Sequence, residues 1–557
     1  MSNLLRHPNL GELKANLQDS TAQFLGLKYA TLKDRFAASE LIDSYGPGPT
    51  DATRYGRPPP VSPVGAIDRE FSFIQHSLPL PDVPTHSDLD GLNLNITVPL
   101  TAAGEIDVDA KLPVYVFIHG GGFAVGSSWY PHYNPATIVK LSADLGKPII
   151  GITINYRLGA AGFMTSQELR AAGYKANNGF HDQRTAMRWI RNHISGFGGD
   201  PNEITTAGES AGGLSVTMLL CSEEPQMKRC LSTGGAVLLF APFPLEVAEA
   251  SYNKIVEALG LAGKSPEERI QALLNAPQDD LWQKVPMSAP LLPVIDGETV
   301  PGHPDFAAVS SREDSAVFAM PGRKWCQSLM IGESKLDANI LAYMGLDGRN
   351  PGIARKFCDS VKYTFDAYPE VGHELLAAYD LSPSTADDEA VLSILRFASE
   401  ISFYAPARAF AQGWPQKSFL YHFNEGIPWL GRFQGEAGHI LDVAYLFQNY
   451  NQHLNDDQKK VARAYAEDFI KFVNGEDPWQ PTKGGTLGAR VYGPSSDGVT
   501  TKYVESGDPK EVGRNERVLK LGEKAGFDNV LAAFQNFFQG RQVQSEGLHG
   551  NRLDLNA

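Results

Sequence analysis

The chain has 557 residues, of which 42% are hydrophobic and 20% are charged, an ordinary globular composition with ample length for a large core. Its formal net charge is −15, and this sign argues against a nucleic-acid or anionic-membrane partner, since nothing would neutralise the phosphates. No stretch approaches the ~20 apolar residues of a membrane span. The N-terminal segment lacks the apolar core of a secretory signal, so we expect a cytoplasmic protein.

The composition also predicts one large domain without a bound metal or organic cofactor. No linker divides the chain, and we expect a single domain over residues 1–540, followed by a polar tail over 541–557. The cysteines show neither CxxC nor metal-ligand spacing, and four thiols in so long a chain do not make a disulfide framework. Buried thiols are expected at Cys221, Cys230, Cys326 and Cys358. Nothing in the sequence indicates an oligomeric state.

Short apolar segments recur along the chain, rich in β-branched and aromatic residues and bounded by Pro, Gly or Asn. Because they are apolar on consecutive positions, they are typical of strands buried on both faces. Such strands are predicted at Pro113–His119, Pro148–Tyr156, Ile204–Ala207, Ala236–Ala241, Ser328–Gly332 and Ser418–Phe423. Amphipathic helices are predicted over Asp182–Ile194 and Asp456–Val473. The alternation predicts an α/β fold with a large, mostly parallel sheet flanked by helices, and reacting groups at the carboxyl ends of its strands.

A glycine run follows the first of these strands. His119–Phe123 reads HGGGF, and glycines at this place allow backbone N–H groups to point into a cavity without side chains in the way. We expect the N–H groups of Gly121 and Gly122, together with that of Ala211, to bind an oxyanion. The alternatives are a flexible loop or a phosphate-binding loop. The P-loop lysine and the G-x-G-x-x-G spacing are both missing.

A candidate nucleophile lies in Gly208–Gly212, which reads GESAG and fits G-x-S-x-G. The segment ITTA before it predicts a strand, and GLSVTMLL after it predicts a helix. A serine on such a sharp turn needs small neighbours, and the turn exposes its hydroxyl. We therefore predict Ser210 as the nucleophile, against the alternative of an incidental glycine turn.

Four segments together resemble one family. They are HGGGF, NYRLGAAGF (Asn155–Phe163), NNGFHDQRTAMRWIRNHISGFGGDP (Asn177–Pro201) and AGESAGG (Ala207–Gly213). This combination is similar to the type-B carboxylesterases, the group that contains cholinesterases and some fungal lipases, and the similarity spans about residues 20 to 480. The resemblance implies an α/β-hydrolase fold, hydrolysis of carboxylic esters and a chain order of serine, acid and histidine.

The resemblance also supplies the base. The segment GEAGHILDVAYLF resembles the family pattern G-A-x-H-x-x-D-L-x-Y-x-F, whose histidine is catalytic, and this places the base on His439. His422 and His453 are the rivals, and His422 lies inside a predicted strand where a packed histidine is expected. Activity should then fall as the pH drops through roughly 6 to 7, where an ordinary histidine protonates.

The acid is predicted at Asp337. The strand SLMIG runs into Glu333–Asn339, which reads ESKLDAN, where the family has G-x-N-x-D-E-G. Esterases of this family usually have Glu at the aligned position. Glu333 is the rival, because it lies closer to the end of the strand.

Three positions depart from the family pattern. Gly91 replaces a cysteine that forms a family disulfide, so that disulfide must be absent. Leu89 stands where the family has a glutamate paired with an arginine, here Arg35, and either Asp88 substitutes or the pair is lost. Gly234 stands where a family serine supports the triad acid.

We expect a serine hydrolase acting on a small-molecule ester, with Phe123, Trp129, Tyr130 and Glu209 as candidate pocket residues. A lactonase or an acyl-transfer enzyme of secondary metabolism is the first alternative, because water and other nucleophiles compete for the same acyl-enzyme. A non-catalytic adhesion homologue is the second. Such homologues have lost the nucleophile, which this chain keeps.

Overall fold

The computed structural model describes residues 3–539, apart from residues 19, 47, 61–65, 287–288, 315–317 and 483–485. The predicted polar tail over 541–557 lies outside the described residues. Among the described residues, no helix combines the length and the apolarity that a membrane span requires.

The described residues form a large mixed sheet and a separate two-stranded ribbon. The strands are β1 (Leu4–His7), β2 (Gly11–Gln18), β3 (Thr21–Lys28), β4 (Ala30–Thr31), β5 (Glu40–Leu41), β6 (Thr50–Ala52), β7 (Asn93–Pro99), β8 (Leu112–Ile118), β9 (Ile150–Ile154), β10 (Gly199–Glu209), β11 (Arg229–Thr233), β12 (Ser328–Ser334), β13 (Lys417–Phe423), β14 (Ala489–Tyr492) and β15 (Thr501–Val504). The large sheet has the order β1-β2-β3-β7-β9-β8-β10-β11-β12-β13-β14-β15, with β6 beside β2, and β4 pairs with β5. From β9 to β14 all pairs are parallel, so the carboxyl ends of these strands share one edge.

Helices surround this sheet. They are α1 (Ala66–Ile74), α2 (Ala136–Asp144), α3 (Gly159–Phe163), α4 (Gln167–Ala171), α5 (Asn178–His193), α6 (Ala211–Leu219), α7 (Leu245–Ala258), α8 (Pro266–Asn275), α9 (Asp280–Gln283), α10 (Phe306–Ser310), α11 (Gly322–Trp325), α12 (Ile353–Thr364), α13 (Pro369–Ala378), α14 (Asp387–Ser399), α15 (Ala405–Gly413), α16 (Leu441–Leu446), α17 (Asp456–Val473), α18 (Arg517–Ala525) and α19 (Phe527–Phe538). Helix α6 packs on β10 and β11, and α15 packs on β12 and β13. The central strands are therefore buried on both faces, which explains their consecutive apolar residues.

One predicted strand is wrong. Ala236–Ala241 forms turns, and the strand of this region is β11, which lies earlier in the chain. Strand β11 reads RCLST. Because several of its buried side chains are polar, it lacks the continuous apolar run from which the other strands were predicted. Arg229 pairs with Glu203 at 2.6 Å, and the hydroxyl of Ser232 donates to the carbonyl of Gly213. The other predicted strands and both predicted helices are present, with ends shifted by a few residues.

The structure explains how the chain accommodates its departures from the family pattern at residues 88–91. Nη2 of Arg35 lies 2.7 Å from Oδ2 of Asp88, so Asp88 takes over the ion pair that Leu89 cannot make. Gly91 is sterically required, because a Cβ at this position would come within 2.7 Å of the backbone of Pro59. All four cysteines are free and buried, as expected.

A buried ion pair holds the segment after β9 against α5. The guanidinium of Arg157 donates to both carboxylate oxygens of Asp182 at 2.8 Å, and both side chains are almost fully buried. Nη1 of Arg157 also donates to the carbonyls of Arg35 and Ala37. All three guanidinium nitrogens of Arg157 thus donate hydrogen bonds, as a buried charge requires.

Asp182→Asn should lower the free energy of unfolding by about 3–5 kcal/mol, because it leaves the buried guanidinium without its counter-charge. Guanidinium chloride unfolding followed by tryptophan fluorescence measures this. The control is Glu467→Gln, which removes the exposed pair of Arg463 and Glu467 (2.7 Å) and should change the free energy by less than about 1 kcal/mol. Equal effects of the two substitutions would contradict the prediction.

Candidate active site

Ser210 lies on a strained turn between β10 and α6. Its backbone has φ 57° and ψ −122°, and a non-glycine residue rarely adopts this conformation. Its N–H donates to the carbonyl of Thr233 at 3.0 Å. A Cβ at Gly208 would overlap the backbone of Gly212, and a Cβ at Gly212 would overlap the carbonyl of Ile118. The strand, turn and helix that the G-x-S-x-G motif predicts are therefore all present, and both glycines are sterically required.

The glycine run after β8 lies beside this turn. Gly121 and Gly122 have φ values of +100° and +60°, and both line the cavity that contains Ser210. A side chain at Gly120 would collide with Glu209. Ala211 is the first residue of α6, so its N–H is among the donors that have no acceptor within the helix. The three predicted oxyanion donors thus lie on two elements that meet at Ser210.

His439 and Asp337 form a buried pair. Nδ1 of His439 lies 2.5 Å from Oδ1 of Asp337. Oδ2 of Asp337 accepts the backbone N–H of Ser334 at 2.8 Å, and the backbone N–H of His439 donates to Oδ1 of Asn339 at 2.8 Å. Burial raises the pKa of Asp337 and the bond to His439 opposes that rise. The imidazole is therefore held in one orientation by the loops after β12 and β13.

A second carboxylate faces the same imidazole. Nε2 of His439 lies 2.9 Å from Oε1 of Glu209, the residue before Ser210. Burial raises the pKa of Glu209 to about 7, although the nearby His439 opposes the rise. Burial lowers the pKa of His439, but Glu209 and Asp337 outweigh it, and the net pKa lies well above 6.5. In the described part of the chain Oγ of Ser210 makes no hydrogen bond to His439, although both residues line one cavity.

The rival candidates have other partners. Glu333 lies 2.6 Å from Nδ1 of His422 and 3.0 Å from Nη2 of Arg514, and neither Glu333 nor His422 lines the cavity of Ser210. Burial lowers the pKa of His422 to about 4. His453 packs beside His76, with ring centroids 4.3 Å apart. Of the five candidates, only His439 therefore lines the cavity of Ser210, and Asp337 is the candidate acid that contacts His439.

Ser210 lines a cavity of about 110 Å³. Five of its lining side chains are polar, namely those of Glu70, Glu209, Ser210, Tyr343 and His439. The apolar lining consists of Phe73, Ala124, Val125, Leu239, Phe240, Ile340, Leu341, Met344, Phe403 and Ile440. Leu239 and Phe240 belong to the segment wrongly predicted as a strand, so its apolar character reflects this lining and the core rather than a sheet.

Three of the four predicted pocket residues do not line this cavity. Phe123 packs in the core against Phe163 and Phe180, at centroid distances of 4.7 and 5.7 Å. Trp129 and Tyr130 line a separate cavity beside residues 80–86. Sequence proximity to the glycine run misled the prediction, because the chain turns away at Phe123 and at Gly126, which both have positive φ. Only Glu209 lies where it was predicted.

Two further features lie beside the His439–Asp337 pair: position 234, which the family pattern placed near the acid, and Asp442, which the sequence prediction missed. Position 234 faces the pair directly, since a Cβ at Gly234 would lie 3.3 Å from Oδ1 of Asp337 and 3.3 Å from Cε1 of His439. With no serine there, the N–H of Ser334 supports the acid. Asp442 is also buried nearby, and it accepts hydrogen bonds from Thr233 and Tyr421. Burial raises the pKa of Asp442 to about 6.

The family assignment follows from comparison with known proteins. The profile of the carboxylesterase family matches residues 10–517, which is nearly the whole chain. The chain belongs to the carboxylesterase family. The resemblance stated from the sequence motifs is therefore confirmed, and the protein is a hydrolase of carboxylic esters.

Individual carboxylesterase relatives agree. The chain is 26% identical to Lipase 1 of Yarrowia lipolytica, over 84% of this chain and 86% of that one. It is 26% identical to para-nitrobenzyl esterase of Bacillus subtilis, over 83% and 85%. A solved structure of a PNB esterase superposes with a TM-score of 0.71 at 22% identity, covering 94% of this chain and 99% of that one. This likeness confirms the predicted fold.

Glu209→Gln should lower the pKa of His439 in this carboxylesterase, because one of the two carboxylates that stabilise the imidazolium is lost. The Cε1–H signal of ¹³C-histidine-labelled protein, followed by NMR against pH, reports this pKa. The control Glu425→Gln removes a buried carboxylate that bonds to Ser495 instead and should leave the pKa of His439 in place. An unchanged or raised pKa in Glu209→Gln would refute the electrostatic account.

Proposed function

We propose that this carboxylesterase cleaves its ester through a covalent acyl-enzyme on Ser210, with His439 as the base and Asp337 as the acid. One observation carries the proposal: His439, whose Nδ1 lies 2.5 Å from the buried Asp337, lines one cavity with Ser210 and the glycine run. A small-molecule ester fits the apolar lining of that cavity.

The first half of the reaction forms the acyl-enzyme. His439 takes the proton of the Ser210 hydroxyl on Nε2, Oγ attacks the ester carbonyl, and the carbonyl oxygen becomes an oxyanion. The C–O bond to the alcohol then breaks, and the imidazolium gives its proton to the departing alkoxide. Asp337 holds the imidazole in the required tautomer and stabilises its charged form.

The second half returns the enzyme to its starting state. Water gives a proton to His439 and attacks the acyl carbon, and the Ser210–acyl bond breaks with return of that proton to Oγ. In both halves the N–H groups of Gly121, Gly122 and Ala211 would bind the oxyanion, and one such donor contributes about 3 kcal/mol to the transition state.

The position of Nε2 beside Glu209 is compatible with this sequence of steps. Catalytic hydrogen bonds are often long or misaligned before substrate binds. Glu209 directly precedes Ser210, so the two oxygens that compete for Nε2 belong to neighbouring residues. A raised pKa of His439 means that the neutral, proton-accepting imidazole is lost at a higher pH than for an ordinary histidine.

A fluorophosphonate should label Ser210 and no other residue of the folded protein. The reason is that only a serine activated by a base attacks the phosphorus rapidly. Intact-mass and peptide mass spectrometry of the wild type and of Ser210→Ala locate the label. Labelling of Ser210→Ala would contradict the proposed function, and so would a folded wild-type protein that takes up no label.

Asp337→Asn should lower kcat on the order of 10³- to 10⁴-fold, because the imidazole loses its fixed tautomer and the charge that stabilises the imidazolium. Hydrolysis of a 4-nitrophenyl ester measures this rate.

The matched control is Glu333→Gln, which changes a buried carboxylate on the same strand end that pairs with Arg514 and His422. This substitution should reduce stability, by about 3–5 kcal/mol, while kcat per phosphonate-reactive site stays near the wild-type value. A larger loss of kcat in Glu333→Gln than in Asp337→Asn would make Glu333 the acid.

A further inference from the structure

Helix α1 brings one carboxylate into the cavity that the proposed reaction does not use. Glu70 lines the cavity together with Phe73 from the next turn of the helix, and only 3% of Glu70 is exposed. Of the other four polar lining residues, Ser210 and His439 react in the proposed mechanism, Glu209 lies against His439, and Tyr343 is a half-buried phenol packed beside Phe73. A buried carboxylate in a mostly apolar cavity is costly unless hydrogen-bond donors surround it.

His132 supplies one of those donors. Its Nε2 lies 2.5 Å from Oε2 of Glu70, and its ring is fully buried. Nδ1 of His132 has no partner in the described part of the chain. A proton on Nε2 fits this arrangement, because Nε2 is the ring nitrogen that faces the carboxylate. His132 therefore fixes the orientation of the Glu70 carboxylate.

The carboxylate of Glu70 has acceptor positions left for a ligand. His132 contacts its Oε2, and an ionised carboxylate has about four acceptor positions. The buried hydroxyl of Tyr133 lies beside this carboxylate, and burial first, then the nearby Glu70, raise the pKa of Tyr133. Binding sites of this kind are mostly apolar, with a few polar groups that fix the orientation of the ligand.

We propose that Glu70 is a specificity residue, which binds a hydrogen-bond donor, a hydroxyl or an ammonium group, on one arm of the ester substrate. The inference rests on the proposed function, because the bound ester must reach Ser210. Of the two carboxylates that line the cavity, Glu209 lies against His439, so Glu70 is the carboxylate left to accept from a donor on the substrate. A carboxylate on the substrate would be repelled by both Glu70 and Glu209.

Matched pairs of esters test this on each arm. For the alcohol arm the pair is benzyl butyrate and its 4-hydroxymethyl analogue, with 4-aminomethyl and 4-carboxy analogues as further probes. For the acyl arm it is 4-nitrophenyl hexanoate and 4-nitrophenyl 6-hydroxyhexanoate, with 6-aminohexanoate. The quantity is the ratio of kcat/KM for the donor ester to that for its plain partner. This ratio does not depend on the fraction of folded enzyme.

The wild type should prefer the donor ester on one arm and reject the 4-carboxy ester. Glu70→Met should lower that ratio roughly 10- to 100-fold, the usual range for a hydrogen bond to a charged group. Glu70→Gln separates the two donors, because its amide oxygen still accepts from a hydroxyl but no longer attracts an ammonium. The control Phe73→Leu changes the shape of the same wall and should leave the ratio near the wild-type value.

Three results would overturn the inference. They are a wild type without donor preference on either arm, a preference that Glu70→Met leaves unchanged, and an equal loss for all esters, which would make Glu70 a purely structural partner of His132. Fluorophosphonate labelling of Ser210 in the same samples keeps the two proposals apart. A labelled enzyme without donor preference defeats this inference alone, whereas an unlabelled wild type defeats the proposed function.

Discussion

Close backbone approach at the carboxyl edge of the sheet is the constraint on which the rest of the site depends. The left-handed conformation of Ser210 persists because Gly208, Gly212 and the end of β8 come too close for side chains, while Thr233 on the next strand holds the Ser210 amide. The same approach brings the glycine run beside Ser210 and places Glu209 against it. The strain at one residue is therefore balanced by packing along three neighbouring strands.

Beside this turn, the imidazole of His439 lies between two carboxylates. Asp337 approaches Nδ1 of His439 and Glu209 approaches Nε2. Burial acts against the charged form of every member, yet the carboxylates together favour the imidazolium. The two carboxylates would therefore stabilise the positive charge that His439 acquires during ester cleavage, and the protein would not have to rearrange to do so.

The sequence predicted the parts of the molecule that local chemistry determines. The glycines of HGGGF and GESAG are required by backbone geometry, so their positions were readable, and β12 and β13 were readable from their apolar runs. The sequence alone left Glu333 open as the acid, because the partners that occupy it, His422 and Arg514, come from distant parts of the chain. Strand β11 was missed because its buried polar side chains are satisfied by tertiary contacts. The cavity wall was missed because α1 and the loop after β11 reach it only in three dimensions.

The cavity wall and the proposed reacting groups belong to different layers of the fold. Ser210, Asp337 and His439 follow central strands, whereas Phe73, Leu239, Phe240 and Phe403 come from helices and loops outside the sheet. None of these four wall residues belongs to the strand pairs that set the register of β10, β12 and β13. Selection can therefore alter the range of accepted substrates while the chemistry is inherited intact, which gives this architecture a high capacity to diversify.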